Sequence, residues 1–122
     1  MTLVIGANTE QVRLLLTDVG KVILSVCIKA LARQRNEREI TRQFLEAAGV
    51  DWRDLECIAV LRIPSSRTSV RVVETIARVA SWYEGISAKQ VTCSTLDVFD
   101  DQELAEAVFS APALKENLKD AI

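Results

Sequence analysis

Between Leu55 and Leu96 the hydrophobic positions change their period twice. Leu55-Glu-Cys-Ile-Ala-Val-Leu-Arg62 is a short apolar run rich in branched residues, which predicts a buried strand. Ile63-Pro-Ser-Ser-Arg67 is a polar turn with one proline. From Thr68 to Tyr83 apolar residues return every three or four positions, the period of a helix. Val91-Thr-Cys-Ser-Thr-Leu96 then predicts a second strand. Strand, crossover helix and strand make a βαβ unit whose strands run parallel.

The residues before this unit add to one edge of its sheet. Leu3-Val-Ile5, Val12 to Thr17 and Val22 to Ile28 read as strands joined by the turn-like stretches 6–10 and 17–21, an antiparallel meander. Residues 29 to 36 form a basic, irregular connection. Asn36 is placed to cap a helix over 37–48, with Glu37 and Glu39 near the positive end of its dipole and Gly49 ending it. Within that helix Ile40, Phe44, Ala47 and Ala48 share one face, flanked by Leu45. Thr68 or Ser69 is placed to cap the next helix. Late in the chain, Asp100 or Asp101 caps a short helix carrying Leu104, Ala107 and Val108. Pro112 breaks it, and Leu114 to Ile122 adds a further turn or two. The sum is an α/β domain with a mixed five-stranded sheet, the pattern of the ribonuclease-H-like half of the actin and hexokinase superfamily.

The helix over 68–84 is apolar around about half its circumference at 100° per residue. Val70, Val72, Val73, Ile76, Ala77, Val79, Ala80 and Tyr83 make that half, and Arg71, Glu74, Thr75, Arg78 and Ser81 the other. Covering a sheet needs less. Either a neighbouring element of the same chain covers the rest, or another protein does.

Composition narrows the function classes. With 122 residues the chain holds one domain around one core, and its 49% hydrophobic content is ordinary. No apolar run approaches the ~20 residues of a membrane helix. The N-terminus has no basic segment before its apolar residues and does not read as a signal peptide. A net charge of −2 gives no general electrostatic case for nucleic-acid binding. Lys29, Arg33, Arg35, Arg38 and Arg42 cluster, diluted by Glu37 and Glu39, and read as a solvated loop and helix face. Asp97, Asp100, Asp101, Glu103 and Glu106 form an opposite patch. Cys27, Cys57 and Cys93 fit neither a disulfide framework nor a zinc pattern and read as buried strand residues in a reducing, cytoplasmic compartment. The chain has no histidine, which removes His-dependent triads, the usual His metal ligands and the commonest general base.

One stretch resembles a known family. Ala47-Ala-Gly-Val-Asp-Trp-Arg-Asp-Leu-Glu-Cys-Ile-Ala-Val60 is similar to the helix end, linker and strand of the TsaB (YeaZ) family, the non-catalytic partner in bacterial threonylcarbamoyladenosine tRNA modification. That family continues with a Gly-Pro-Gly-Ser-Phe-Thr-Gly-Leu-Arg-Ile loop. Here Ile63-Pro-Ser-Ser-Arg-Thr-Ser-Val-Arg-Val72 stands in its place, identical at Pro64, Ser66, Thr68 and Arg71. Cys93-Ser-Thr-Leu96 is similar to the family's Val-Ser-Thr-Leu. The resemblance covers residues 2 to 98 and divides the chain into an N-terminal lobe, 1–98, and a helical tail, 99–122. The departures are as specific. The family's glycines fall on Ile63, Ser65 and Ser69, and the acid that usually ends its first strand falls on Gly6. Its second lobe has no counterpart.

The resemblance implies an interaction protein that scaffolds modification of the tRNA adenosine next to the anticodon. It has no catalytic, cofactor or metal residues of its own. It packs its two helices against a TsaD-like catalytic subunit or against a second copy of itself, with direct tRNA contact left open and no membrane involved. The contact residues expected are Ile40, Phe44, Val72, Ile76, Val79 and Tyr83, with intrachain core as the competing reading of each. Two other readings stand beside this one. A diverged nucleotide-binding module would use Ser65, Ser66, Arg67 and Thr68 at a helix start, where backbone N–H groups attract anions. Capping alone is the plainer use of such a turn. The other is a repurposed lobe with a different partner.

Overall fold

The computed structural model describes residues 1–112. Its sheet grows outward from β1 (Thr2–Ala7). One edge of β1 pairs antiparallel with β2 (Gln11–Asp18), which pairs antiparallel with β3 (Lys21–Lys29). The other edge pairs parallel with β4 (Cys57–Arg62), and β4 pairs parallel with β5 (Ser87–Thr92). The order β3-β2-β1-β4-β5 gives the mixed five-stranded sheet and the α/β class read from the sequence.

The middle strands are buried on both faces, so their side chains need two covering layers. On one face Leu3, Ile5, Leu14, Leu16, Ile58 and Val60 meet helices α1 (Glu37–Ala48) and α2 (Arg67–Glu84) through Phe44, Leu45, Val73 and Ala77. On the other face Val4, Leu15, Ala59 and Leu61 meet Cys93, Leu96 and helix α3 (Asp101–Ser110), which contributes Leu104, Ala105 and Val108.

Local chemistry fixes the helix ends. The Asn36 side chain accepts from the Glu39 backbone N–H at 3.1 Å and starts α1. Gly49, with φ 70°, ends it in the left-handed region that a side chain would strain. Asp100 and Glu103 form a reciprocal capping box on α3. α2 starts earlier than Thr68 or Ser69. Its N-cap is Ser66, whose side chain makes no capping bond, because the turn closed by Ser66 N–H to Ile63 O at 3.0 Å winds directly into the helix. The predicted further turn at Leu114 to Ile122 lies outside the described residues.

Further sequence readings need correction. The second strand of the βαβ unit is Ser87–Thr92, not Val91 to Leu96. It is a sheet edge, and Lys89 and Gln90 break its apolar pattern. Cys93 and Leu96 lie beyond it and pack on the second face. The basic cluster is not all solvated. Arg35 has a side chain only 1% exposed and donates to Glu37 Oε1 at 2.6 Å, to Ala30 O at 2.8 Å and to Asn8 O, tying the β1–β2 turn to the entry of α1. Cys27 lies in β3 as expected, but on that edge strand it is exposed, while Cys57 and Cys93 are buried.

A second buried guanidinium orders the return from β5 to α3. Arg13 donates to Leu96 O at 3.0 Å, to Phe99 O at 2.8 Å and to Asp101 Oδ1 at 2.8 Å, and Ser25 Oγ donates to Asp101 Oδ2 at 2.6 Å. The bonds from Arg13, then Ser25, hold the Asp101 carboxyl below its ordinary range.

Burial pushes the Cys57 and Cys93 thiols up, away from the reactive thiolate. In native protein a thiol reagent should therefore label Cys27 alone within minutes, and the other two only after unfolding. Fast native labelling of Cys57 or Cys93 would contradict their place in the core.

Candidate functional site

The long helix α2 presents faces of different chemistry. Val70, Val73, Ala77 and Ala80 point into the domain and are buried. About a third of a turn away, at 100° per residue, runs a second apolar strip of Val72, Ile76, Val79 and Tyr83. Val72 is 38% exposed, Val79 46% and Tyr83 78%. Trp82, 59% exposed, extends the strip, its ring 5.7 Å from that of Tyr83. Beside the strip lies an open groove of about 550 Å³, walled by Arg38 of α1, Trp52 of the short 3₁₀ turn before β4, and Ile76, Val79 and Tyr83 of α2.

The expected contact residues divide accordingly. Val72, Val79 and Tyr83 are exposed. Ile40 and Ile76 are half-buried where the core meets the surface. Phe44 is corrected. It is 6% exposed and fills the core between α1 and the sheet, because its face of the helix points at Leu14 and Leu16 rather than at α2's outer strip. Trp82 and Trp52 were missed. On the helical wheel Trp82 falls among polar residues, and Trp52 sits in a segment with no periodicity.

At the start of α2, Arg62, Arg67 and Arg71 line a second groove of about 400 Å³ together with Ile63, Pro64 and Glu74. Two turns beyond Arg71, the buried Nε of Arg78 has no hydrogen-bond partner. An unsatisfied buried donor costs about 1–3 kcal/mol, so this is an unusual group to leave open.

The C-terminal end of β1 is closed. A Cβ added at Gly6 would lie 2.6 Å from Leu61 Cδ1 and 2.7 Å from Leu96 Cδ1. Those leucines are buried in the second core cluster and fill the position where the resembling family carries its acid. The turn 63–68 likewise carries side chains at the family's glycine positions, so the backbone there is not bare for a phosphate. Among the described residues no group of three or more His, Cys, Asp or Glu side chains is placed to hold a metal ion.

If Gly6 is a packing glycine, Gly6→Ala should destabilise the fold by about 1–3 kcal/mol through overpacking, read from urea unfolding. The same change in a Leu61→Val background should cost less, because that leucine is the nearest obstacle. Equal loss in both backgrounds would place the constraint elsewhere.

No protein-family model matches the sequence, and no curated protein matches it. Solved structures do share the fold. YeaZ from Pseudomonas aeruginosa superposes with a TM-score of 0.64 at 24% identity, over 75% of this chain and 43% of that one. Thermus thermophilus RuvC superposes with a TM-score of 0.50 at 11% identity, over 93% of this chain and 99% of that one. The chain thus spans less than half the length of the YeaZ structure it matches. No helix among the described residues is long and apolar enough to cross a membrane. At these identities the likeness is one of fold, and the chain has the YeaZ-like, ribonuclease-H-like α/β fold read from its sequence.

Proposed function

We propose that this chain is a non-catalytic partner protein of the cytoplasm, a relative of TsaB that docks through the outer strip of α2 onto a TsaD-like catalytic subunit or onto a second copy of itself. Its role is to scaffold modification of the tRNA adenosine next to the anticodon. The observation that carries the reading is the strip itself. Val72, Val79, Trp82 and Tyr83 are contiguous, apolar and exposed on a helix whose inward face already satisfies the core. Exposed apolar surface bordered by a groove is the usual signature of a docking face. The fold likeness to YeaZ supports the choice of partner.

The nucleotide-binding alternative draws less support. Leu61 and Leu96 occupy the space an acid at position 6 would need, and the turn before α2 carries side chains where a phosphate cradle needs bare backbone.

Burying the exposed parts of Val79 and Tyr83 at a contact is worth about 1.5–3 kcal/mol per side chain at most. The double variant Val79→Asp, Tyr83→Asp should therefore raise the dissociation constant for the copy or the TsaD-like subunit by roughly 100-fold or more. Its far-ultraviolet circular dichroism should not change. Sedimentation velocity reads the association. Wild-type protein that stays monomeric at high concentration and does not bind the TsaD-like subunit would sink the proposal.

A further inference from the structure

Four of the ten arginines face a carboxylate, and of the six that do not, Arg33 and Arg38 lie on other elements while the remaining four gather on one flank of α2. Arg13 faces Asp101, Arg35 faces Glu37, Arg42 faces Glu39 and Glu46, and Arg53 faces Asp51. Those along one flank of α2 do not. Arg62 at the end of β4, and Arg67, Arg71 and Arg78 on the helix, form no ion pair among the described residues. At 100° per residue the three helical arginines fall within ~40° of one another, and a rise of 1.5 Å per residue spaces them ~6 Å and then ~10 Å along the axis. They form one straight row. The single acid among them, Glu74, accepts from Gln90 Nε2 at 3.4 Å instead.

Nothing in the net charge of −2 foretells this row, because the acids collect elsewhere, on Asp97, Asp100, Asp101, Glu103 and Glu106 around α3. Two features show the row poised for an acceptor. Arg62, Arg67 and Arg71 surround an open groove of about 400 Å³. The Arg78 guanidinium carries a buried Nε–H with no partner beside a smaller recess of about 50 Å³. An aromatic ring stands at the end of the row, Trp82, one turn beyond Arg78 and 59% exposed.

We propose that this flank of α2 binds the phosphodiester backbone of a nucleic acid, the arginines taking successive phosphates and Trp82 stacking on a base. Guanidinium forks match phosphate oxygens in pairs, and a linear array at this spacing matches a repeating anion better than the scattered carboxylates of an acidic protein. Stacking on an exposed indole has no counterpart in an acidic peptide and is the usual companion of backbone contacts in single strands. The row lies about a third of a turn from Val72, Ile76, Val79 and Tyr83, with Trp82 on the border between them, so a partner that covers Trp82 competes with base stacking and leaves the arginines open. The inference does not depend on the proposed docking function.

The test is fluorescence anisotropy with labelled single-stranded RNA, single-stranded DNA and duplex probes. Expected is binding whose log affinity falls with log salt at a slope of roughly −2 to −3, as ~3–4 phosphate contacts on a single strand require. Arg67→Glu with Arg71→Glu, both at exposed positions, should weaken binding at least tenfold. Trp82→Ala should weaken the single-stranded probes and leave the duplex unchanged. The charge-matched control Arg33→Glu with Arg38→Glu, also exposed, should change affinity less than twofold. Equal loss in the control would reduce the effect to overall charge and overturn the proposal. So would competition by poly-glutamate as effective as that by unlabelled RNA, or no binding by the folded wild type at low salt.

Discussion

The constraint on which this structure depends is the burial of β1 and β4 on both faces. Strands with apolar side chains on each side cannot face water on either, so the chain must supply two covering layers. It does so unevenly. One face receives two helices, and the other receives a single short helix together with the segment that leads to it. That segment is irregular backbone, and Arg13 pins it by bonding the Leu96 and Phe99 carbonyls and the Asp101 carboxylate. Because Asp101 is held below its ordinary range, its contribution is present above the unfolded carboxylate's pKa and fades as pH falls through the lowered one.

The same constraint explains what α2 has left over. The helix needs only a stripe of ~100° to cover its share of the sheet. Val70, Val73, Ala77 and Ala80 provide it, and the remaining faces are free to serve other ends. One is apolar and bordered by a groove, and another carries the unpaired arginines. The C-terminal end of β1 is taken up by packing, with Gly6 giving room to Leu61 and Leu96.

What the sequence disclosed, and what it hid, follows the range of the interactions concerned. Asn36 and Gly49 mark the ends of α1 through contacts within a turn, and they were legible. The parallel βαβ unit was legible because its apolar periods are long. β5 was displaced by several residues, since an edge strand carrying Lys89 and Gln90 has little pattern of its own and takes its register from β4. Phe44 and Tyr83 looked alike as apolar helix residues, yet one is core and the other is surface. Which side of a helix meets the sheet is decided by packing across the domain. Arg13 drew no notice and Arg35 read as part of a solvated cluster, because the carbonyls and carboxylate that Arg13 binds lie 83 to 88 residues away and the Asn8 carbonyl that Arg35 reaches lies 27 away. The unpaired row on α2 was hidden for the converse reason, that a lack of partners is visible only once the neighbours are in place.

The central claim is that the outer strip of α2 is a surface for another protein. Hydroxyl-radical footprinting tests it most directly, reading the oxidation of Trp82 and Tyr83 in the free chain and with the TsaD-like subunit or at self-associating concentration. Phe109, also 59% exposed but on α3, serves as the internal reference. The account predicts that Trp82 and Tyr83 become protected on association while Phe109 is oxidised as before. Unchanged oxidation of both α2 aromatics in a complex shown to have formed would contradict it.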